Sequence, residues 1–230
     1  MSLKKLGIAL DFTDIEDAEQ FLYSIEDKDI VIKIGYSLFI KYGKDITDFV
    51  KSKGFELFLD LKLHDIPNTV YNGVKGAIYS GADYLTIHTL GGKEMLQKAV
   101  EAKGSSSLKL LGVTILTSHD ERYLDYIGCS KYSIKDLTLN LAKTALETGI
   151  DGIVSSVDEV SFLKENIEKE FIAVTPGIRL EDDSKDDQKR VATPKKAVEK
   201  GANILIVGRP IIKAKNPNEK IKKIKESMNI

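Results

Sequence analysis

The chain has 230 residues, with 34 Lys and Arg against 35 Asp and Glu and a formal net charge of -1. This balance argues against a protein that mainly binds nucleic acid, and 42% apolar residues indicate a folded core and not global disorder. A single cysteine, Cys129, excludes an internal disulfide and a multi-thiolate metal site, and no apolar run approaches the roughly 18 residues of a membrane span. We therefore expect a soluble, cytoplasmic protein without a signal peptide.

Eight short runs with β-strand character recur along the chain. They are predicted at residues 6–11, 30–35, 56–61, 84–88, 109–116, 152–155, 171–175 and 204–207. Most neighbouring runs are separated by about 20–40 residues, which is enough for one crossover helix between parallel strands.

Helical patterns occupy the segments between these runs. Thr13 and Glu16 form a capping-box pattern that predicts the start of the first helix. Later, Val70 and Val74 begin an apolar stripe at helical spacing that ends at Gly81. Repeated strand–helix units without a Pro/Gly/Ser-rich linker predict one domain over residues 1–230, a (β/α)8 TIM barrel in the α/β class. A doubly wound open sheet is the alternative, because it has the same local pattern.

Two polar stretches interrupt this order. Residues 117–135 are a long polar connection after the fifth strand. Residues 179–190, RLEDDSKDDQKR, carry five acids and four bases, a pattern typical of a solvated loop. Long loops that follow the strands of a barrel also form lids over its mouth. We expect residues 179–190 to be a mobile loop that closes over a phosphate group.

Charged residues lie on three predicted strands whose buried residues should be apolar. In the third strand Asp60 and Lys62 share one face, while the leucines between them share the other. Lys33 lies among apolar residues in the second strand, and Asp11 ends the first. Burying one ion costs several kcal/mol unless an opposite charge is close. The pattern predicts a charged cluster at the C-terminal mouth of the barrel, where barrel enzymes place their active sites. An ion-pair cluster that only stabilises the barrel is the alternative.

Glycine and arginine follow both of the last two strands. Gly208 and Arg209 come directly after the eighth strand, and Gly177 and Arg179 follow the seventh. Glycine allows close approach of the backbone, and backbone N–H groups beside an arginine suit a phosphate dianion. Barrels often bind phosphate between these two loops, so the sequence predicts a phosphorylated ligand.

Residues 60–69, DLKLHDIPNT, resemble the signature of the orotidine 5′-phosphate decarboxylase family. The segments TPGIR at 175–179, DQKR at 187–190 and VGRP at 207–210 are similar to the bacterial branch of that family in order and spacing. The resemblance runs from the first strand to the last helix. It implies a homodimeric (β/α)8 barrel that converts orotidine 5′-monophosphate to UMP and CO2, the last step of de novo pyrimidine nucleotide synthesis. It also implies that neither a metal nor an organic cofactor takes part.

The resemblance also assigns roles to individual residues. Lys62 would be the general acid that protonates C6 of the pyrimidine, and Asp60 would face the substrate carboxylate. Lys33 and Asp65 would complete an alternating array of charges. The other implied contacts are Asp11 and Lys33 to the ribose, Thr117 to the pyrimidine, Arg179, Gly208 and Arg209 to the phosphate, Gln188 to phosphate and base, and Asp65, Ile66 and Thr69 to the neighbouring subunit's site. Residues 180–187 depart from the family pattern, since they are more acidic than expected around a dianion.

Two other functions compete with this interpretation. Related barrels, 3-hexulose-6-phosphate synthase and 3-keto-L-gulonate-6-phosphate decarboxylase, bind Mg²⁺ and would need a carboxylate where this chain has Lys33. A barrel that binds a phosphosugar or nucleotide without catalysis, or a structural dimer, would not need the Asp60, Lys62 and Asp65 set. We interpret His64 as structural, and we do not predict a metal pair from His88 and His119, because they are far apart in the chain.

Overall fold

Eight parallel strands close on themselves in chain order, and the last pairs with the first. The structure is a computed structural model that describes residues 4–116, 119–180 and 192–230. Within those residues the strands are β1 Lys5–Ala9, β2 Val31–Ile34, β3 Glu56–Leu63, β4 Tyr84–His88, β5 Lys109–Val113, β6 Gly152–Val154, β7 Ile172–Thr175 and β8 Ile204–Val207. All eight predicted strands are confirmed within a few residues. The alternative of an open sheet is wrong, because β1 and β8 pair.

Helices on the outside of the barrel cover the strands. In the described residues they are α1 Ile15–Ser24, α2 Tyr36–Tyr42, α3 Lys44–Ser52, α4 Pro67–Tyr79, α5 Gly92–Lys103, α6 Arg122–Tyr126, α7 Ile134–Thr148, α8 Val157–Asn166, α9 Pro194–Glu199, α10 Arg209–Ile212 and α11 Pro217–Met228. A 3-10 turn, Thr89–Gly91, precedes α5. The predicted stripe on α4 is confirmed, because Val70 and Val74 are buried. None of the helices described is long and apolar enough to span a membrane.

The predicted capping box at the first helix is wrong. Asp14 is the N-cap residue, and it makes no side-chain cap hydrogen bond. Its carboxylate instead accepts a hydrogen bond from Lys41 Nζ at 2.5 Å and one from the Thr13 hydroxyl at 3.3 Å. These contacts engage both side chains that could have capped the helix. A capping box is present at the start of α8, where the Ser156 backbone N–H donates to Glu159.

The polar connection after β5 contains a buried apolar cluster that was not predicted. Its described part contains the short helix α6, and Ile115, Leu124 and Ile134 form a small buried cluster there. The apolar side chains are widely spaced in sequence, so no single window shows their pattern. The loop predicted at 179–190 lies outside the described residues from residue 181 onward.

The barrel interior has an apolar layer between two charged ends. This inner layer consists of Ala9, Val31, Phe58, Tyr84, Leu111, Val174, Ile204 and Ile206. At the N-terminal end, Lys5 pairs with Glu56, and the Tyr84 hydroxyl donates to the same carboxylate at 3.0 Å. The opposite end carries the residues predicted to act on a ligand.

Candidate active site

A cavity of about 290 Å³ opens at the C-terminal mouth of the barrel. Charged side chains from the first three strands line one side, the loops after β7 and β8 line the other, and apolar side chains form the floor. The lining residues are Ala9, Asp11, Lys33, Phe58, Asp60, Lys62, Val113, Ile115, Leu116, Val154, Val174, Pro176, Gly177, Arg179, Ile206, Gly208 and Arg209. The charged cluster and the phosphate-binding loops predicted from the sequence therefore share one cavity.

Four charges alternate in sign across the wall of this cavity. Lys33 Nζ lies 3.9 Å from Asp11 Oδ1 and 3.3 Å from Asp60 Oδ2. Lys62 Nζ lies 2.8 Å from Asp60 Oδ1. The order Asp11, Lys33, Asp60, Lys62 gives each inner ion an opposite charge on both sides. Only 13% of the Lys33 side chain and 17% of the Asp60 side chain are exposed, so these pairs are partly shielded from water and their attraction is stronger than on an open surface.

The Asp60 carboxylate is held in its ionised form. Burial by itself would raise its pKa, but the charges of Lys33 and Lys62 and the hydrogen bonds from Lys62 and Thr86 outweigh that effect. The pKa of Asp60 therefore lies below its usual value. The phenol of Tyr36 responds in the opposite direction, because burial and the nearby Asp60 charge raise its pKa. Tyr36 stays protonated, and its hydroxyl donates to the backbone carbonyl of Leu61 at 2.8 Å.

Strand β3 is irregular where it carries the cluster. Its pairing with β4 shifts between Leu59 and Leu63, and Lys62 has a φ of 44°, which L-residues rarely adopt. The predicted placement of Asp60 and Lys62 in the cavity is confirmed, but the regular alternation from which it was predicted is wrong over this stretch. The bulge is consistent with the frequent placement of such irregularities beside functional sites.

The loops after β7 and β8 bring two arginines to the cavity. Gly177 has a φ of 77°, a conformation that favours glycine. Arg179 is only 7% exposed and its Nη1 donates to the Ile178 carbonyl at 2.8 Å. Directly after the neighbouring strand β8, Gly208 lies beside the end of β1, where an added Cβ would be in van der Waals contact with Asp11 Oδ2 at 3.4 Å. Arg209 begins α10 beside it. This is the arrangement expected for a phosphate pocket.

Some predicted site residues lie outside the cavity of their own chain. Asp65, Ile66 and Thr69 are exposed at the start of α4, and Ile66 is 68% exposed. The Asp65 carboxylate accepts a hydrogen bond from the Ile66 backbone N–H at 2.6 Å. Their predicted action in a neighbouring subunit stays a prediction. Thr117 and Gln188 lie outside the described residues.

Sequence reasoning missed Thr86 and Tyr36. Thr86 lies on β4, is fully buried and hydrogen-bonds to both Asp60 and the backbone of Lys62. Thr86 lies on the same face of β4 as Tyr84, and Leu85 between them lies on the other face. A polar residue facing the barrel axis was therefore visible in the sequence. Tyr36 gave no such signal, because it follows its strand in an ordinary helix start.

Two histidines beside the cluster are stacked. The rings of His64 and His88 lie 5.2 Å apart with an interplanar angle of 23°. Burial, together with the neighbouring His64, Lys62 and His119, lowers the pKa of His88 to about 4. The neutral ring accepts a hydrogen bond from the Leu90 backbone N–H at its Nδ1. In the described part of the chain, no group of three or more His, Cys, Asp or Glu side chains could hold a metal ion.

Comparison with known proteins agrees with this geometry. The sequence model of the orotidine 5′-phosphate decarboxylase / HUMPS family matches residues 4–224. The chain belongs to this family. Among curated members named orotidine 5′-phosphate decarboxylase, that of Aquifex aeolicus is 49% identical over 189 residues, which cover 82% of this chain and 81% of the relative. The protein of the same name from Fusobacterium nucleatum is 43% identical over 224 residues, covering 96% and 94%.

Solved structures of orotidine 5′-phosphate decarboxylases have the same fold. The crystal structure from Lactobacillus acidophilus has a TM-score of 0.88 at 38% identity, covering 99% of this chain and all of the other. The structure from Methanocaldococcus jannaschii, described as complexed with the inhibitor BMP, has a TM-score of 0.79 at 25% identity, covering 99% and 100%. The predicted family and barrel are thus confirmed.

Proposed function

We propose that the chain decarboxylates orotidine 5′-monophosphate to UMP and CO2 and that Lys62 supplies the proton that replaces the carboxylate. This is a carboxy-lyase reaction and the last step of de novo pyrimidine nucleotide synthesis. The family and the names of the relatives support the overall reaction. The observation that carries the role of Lys62 is its ammonium group, 2.8 Å from Asp60 in the wall of the cavity. A cytoplasmic location remains a prediction from the sequence.

The reaction needs a fixed cation at C6 of the pyrimidine. When the bond from C6 to the carboxylate breaks, CO2 leaves and the electron pair stays on C6, in the plane of the ring and outside its π system. An ammonium group aimed at that carbon stabilises the developing negative charge and then transfers its proton to C6. Lys62 supplies this group in the proposed mechanism, and it becomes a neutral amine until it is protonated again.

The neighbouring charges hold Lys62 ready for this step. Asp60 is ionised, and its Oδ1 lies 2.8 Å from Lys62 Nζ, so a charge-assisted hydrogen bond fixes the position of the ammonium group. Lys33 holds Asp60 from the other side, and with Asp11 it would bind the ribose hydroxyls. In this proposal Asp60 also lies beside the substrate carboxylate, which would leave as the uncharged CO2 molecule.

The far side of the cavity would bind the phosphate. Arg179, Gly208 and Arg209 line it, and two guanidinium groups can form charge-assisted hydrogen bonds to a dianion. Gln188 would bridge phosphate and base, and Thr117 would contact the pyrimidine. Binding energy gained at a remote phosphate can order the reacting groups and raise kcat as well as affinity.

The complete site would need a second copy of the chain. Asp65, Ile66 and Thr69 are exposed on one edge of the barrel mouth, where a partner's cavity could receive them. In a homodimer Asp65 would then add a second carboxylate beside the partner's lysine and extend the alternating charges. The partner required is thus another copy of this chain, and neither nucleic acid nor a membrane is needed.

The family description also covers Mg²⁺-dependent relatives, and Lys33 argues against their chemistry here. Magnesium is bound by carboxylates and water, and the Lys33 ammonium lies within 3.9 Å of both Asp11 and Asp60. It occupies the space between the carboxylates where a divalent cation would have to lie. We therefore propose that no metal takes part. The family resemblance implies that no organic cofactor takes part either.

An absorbance assay with orotidine 5′-monophosphate, run with and without a chelator, tests the proposed function. We expect turnover that the chelator does not reduce. Lys62→Ala should lose activity by at least about 1,000-fold, since it removes both charge stabilisation and the proton donor, while circular dichroism shows an intact fold. Lys44→Ala is the matched control, because Lys44 is an exposed lysine paired with Asp48 on α3, and it should keep full activity.

Three results would contradict the proposal. Absence of turnover by the wild-type chain would exclude the reaction. Loss of activity in the chelator that is restored by Mg²⁺ would favour the metal-dependent relatives. A Lys62→Ala variant as active as the Lys44→Ala control would exclude Lys62 as the proton donor.

A further inference from the structure

We propose that Thr86 is a positioning residue for decarboxylation, whose hydroxyl holds the Lys62 backbone and the Asp60 carboxylate in their reactive arrangement. This inference rests on the proposed function. Thr86 does not line the cavity, so it acts through these two residues and not on the substrate.

The first observation is the backbone of Lys62. Its φ of 44° lies in the left-handed region, which is sterically unfavourable for an L-residue. Among the described non-glycine residues, Asn229 also has a positive φ. It ends the last helix, where that conformation is common. A strained conformation inside a strand persists only when surrounding contacts hold it.

The second observation identifies one contact that holds it. From Leu59 to Leu63 strand β3 advances four residues, while its partner β4 advances two, from Leu85 to Ile87. Two extra residues are therefore accommodated in β3, and Thr86 lies opposite them. The Lys62 backbone N–H donates to Thr86 Oγ1 at 2.8 Å. A side-chain oxygen thus binds a backbone group in the stretch where the pairing is irregular.

The third observation is that the same hydroxyl binds the catalytic carboxylate. Thr86 Oγ1 donates to Asp60 Oδ1 at 3.0 Å, the oxygen that also accepts a hydrogen bond from Lys62 Nζ. A hydroxyl has one hydrogen to donate and two lone pairs that accept, so it can make both bonds at once. Thr86 is completely buried and β-branched, which restricts its χ1 rotation. One rigid group therefore links the backbone of the proposed proton donor to its counter-ion.

Removing the hydroxyl should affect catalysis more than binding. Without it the Lys62 N–H and the Asp60 oxygen each lose a partner, and the ammonium group can move away from C6. Displacement of a catalytic group by about 1 Å can cost about 100-fold in rate. The phosphate contacts on the opposite wall stay intact, so substrate binding should change little.

The Asp60 carboxylate offers a second readout. It faces Lys33 from β2, Lys62 from its own strand and the Tyr36 phenol from α2. The hydrogen bond from Thr86 is one of the contacts that lower its pKa. Losing that bond raises the pKa, so the acidic limb of the kcat profile should move to higher pH.

The test compares Thr86→Val with Thr86→Ser. Valine keeps the shape without the hydroxyl, and we expect kcat to fall about 10- to 100-fold with little change in KM and an acidic limb at higher pH. Serine keeps the hydroxyl and should retain most of the activity. Thr47→Val is the matched control, because Thr47 is also fully buried and its hydroxyl donates within its own helix, to the Lys44 carbonyl. It should keep wild-type kinetics.

Further comparisons keep the test decisive if the valine variant does not fold. Thr86→Ser and Thr86→Ala both lose the methyl group, and they differ in the hydroxyl alone. Equal kcat values and equal pH profiles for this pair would overturn the positioning role, as would a Thr86→Val enzyme with wild-type kcat. A loss of the same size in Thr47→Val would mean a general packing effect. Absence of turnover in the wild-type chain would contradict the proposed function instead.

Discussion

Lys62 is both the proposed proton donor and, among the described residues, the one non-glycine residue inside a strand that has a positive φ. Its charge was predictable, because Lys62 and Asp60 interrupt a strand that should be apolar. Its backbone conformation was not, because the bulge depends on how β3 pairs with β4, and the sequence of β3 alone contains no glycine or proline that would mark it. The contribution of Thr86 depends on that bulge, so it escaped sequence reasoning for the same reason.

The strain at Lys62 predicts an unusual order of stability. Glycine adopts a φ of 44° without the steric cost that alanine has. We expect Lys62→Gly to be more stable than Lys62→Ala by about 1 kcal/mol, although both lack activity. Urea unfolding of the two variants measures the difference.

Lys53 provides the control pair for this comparison. Its φ is -86°, which any residue adopts, so Lys53→Gly should be no more stable than Lys53→Ala. A Lys62→Gly variant that unfolds at lower urea concentration than Lys62→Ala would show that the conformation at this position is not strained.

At the level of elements, the ends of the first three strands bring the alternating charges to the cavity, and the loops after β7 and β8 bring two arginines to it. The positions of the strands and the apolar stripes of the helices were predictable, because each reflects a buried face. The capping of the first helix and the buried cluster after β5 were not predictable. The Asp14 side chain does not cap α1, because its carboxylate pairs with Lys41 on another helix. The cluster of Ile115, Leu124 and Ile134 is made by residues far apart in the chain.

The turn from β8 to α10 predicts selective loss of phosphate binding. Arg209 lines the cavity, and a hydrogen bond to a charged group contributes about 1.5–3 kcal/mol. Arg209→Ala should therefore weaken UMP binding by about 10- to 100-fold and leave the binding of uridine nearly unchanged. Isothermal titration calorimetry with both ligands measures the difference.

Arg122→Ala is the control for this prediction. Arg122 is an exposed arginine that pairs with Asp120 and does not line the cavity, so its removal should leave both affinities unchanged. If Arg209→Ala weakened UMP and uridine by the same factor, the phosphate would have to bind elsewhere in the cavity.

For the whole molecule, a closed barrel was predictable from eight strand–helix units. The proposed association of two chains was not visible in any periodic pattern of the sequence. Its indication is the exposed position of Asp65, Ile66 and Thr69, which are implied to be functional and yet lie outside their own chain's cavity. A second copy of the chain, as proposed above, would reconcile these two facts.

Mixing two inactive variants tests the shared site. In a heterodimer of Asp65→Ala and Lys62→Ala chains, one of the two sites has both wild-type residues. Random mixing of equal amounts makes half of the dimers heterodimers, so we expect about a quarter of the wild-type activity. Mass spectrometry should verify the exchange of subunits. If exchange occurs and no activity returns, Asp65 does not act across the interface.

The inner layer of the barrel has a consequence for the supply of protons. Phe58, Leu111, Val174 and Ile206 are buried beneath the cavity, and they separate Lys62 from the ion pair of Lys5 and Glu56 at the opposite end. Aliphatic and phenyl side chains cannot relay a proton, and the Tyr84 hydroxyl of the same layer donates to Glu56 at the opposite end, so this floor separates the lysine from that end of the barrel. In the proposed mechanism Lys62 would give up one proton in each cycle and would recover it from water that enters through the same mouth by which UMP departs. Recharging of the acid would thereby be tied to the release of product.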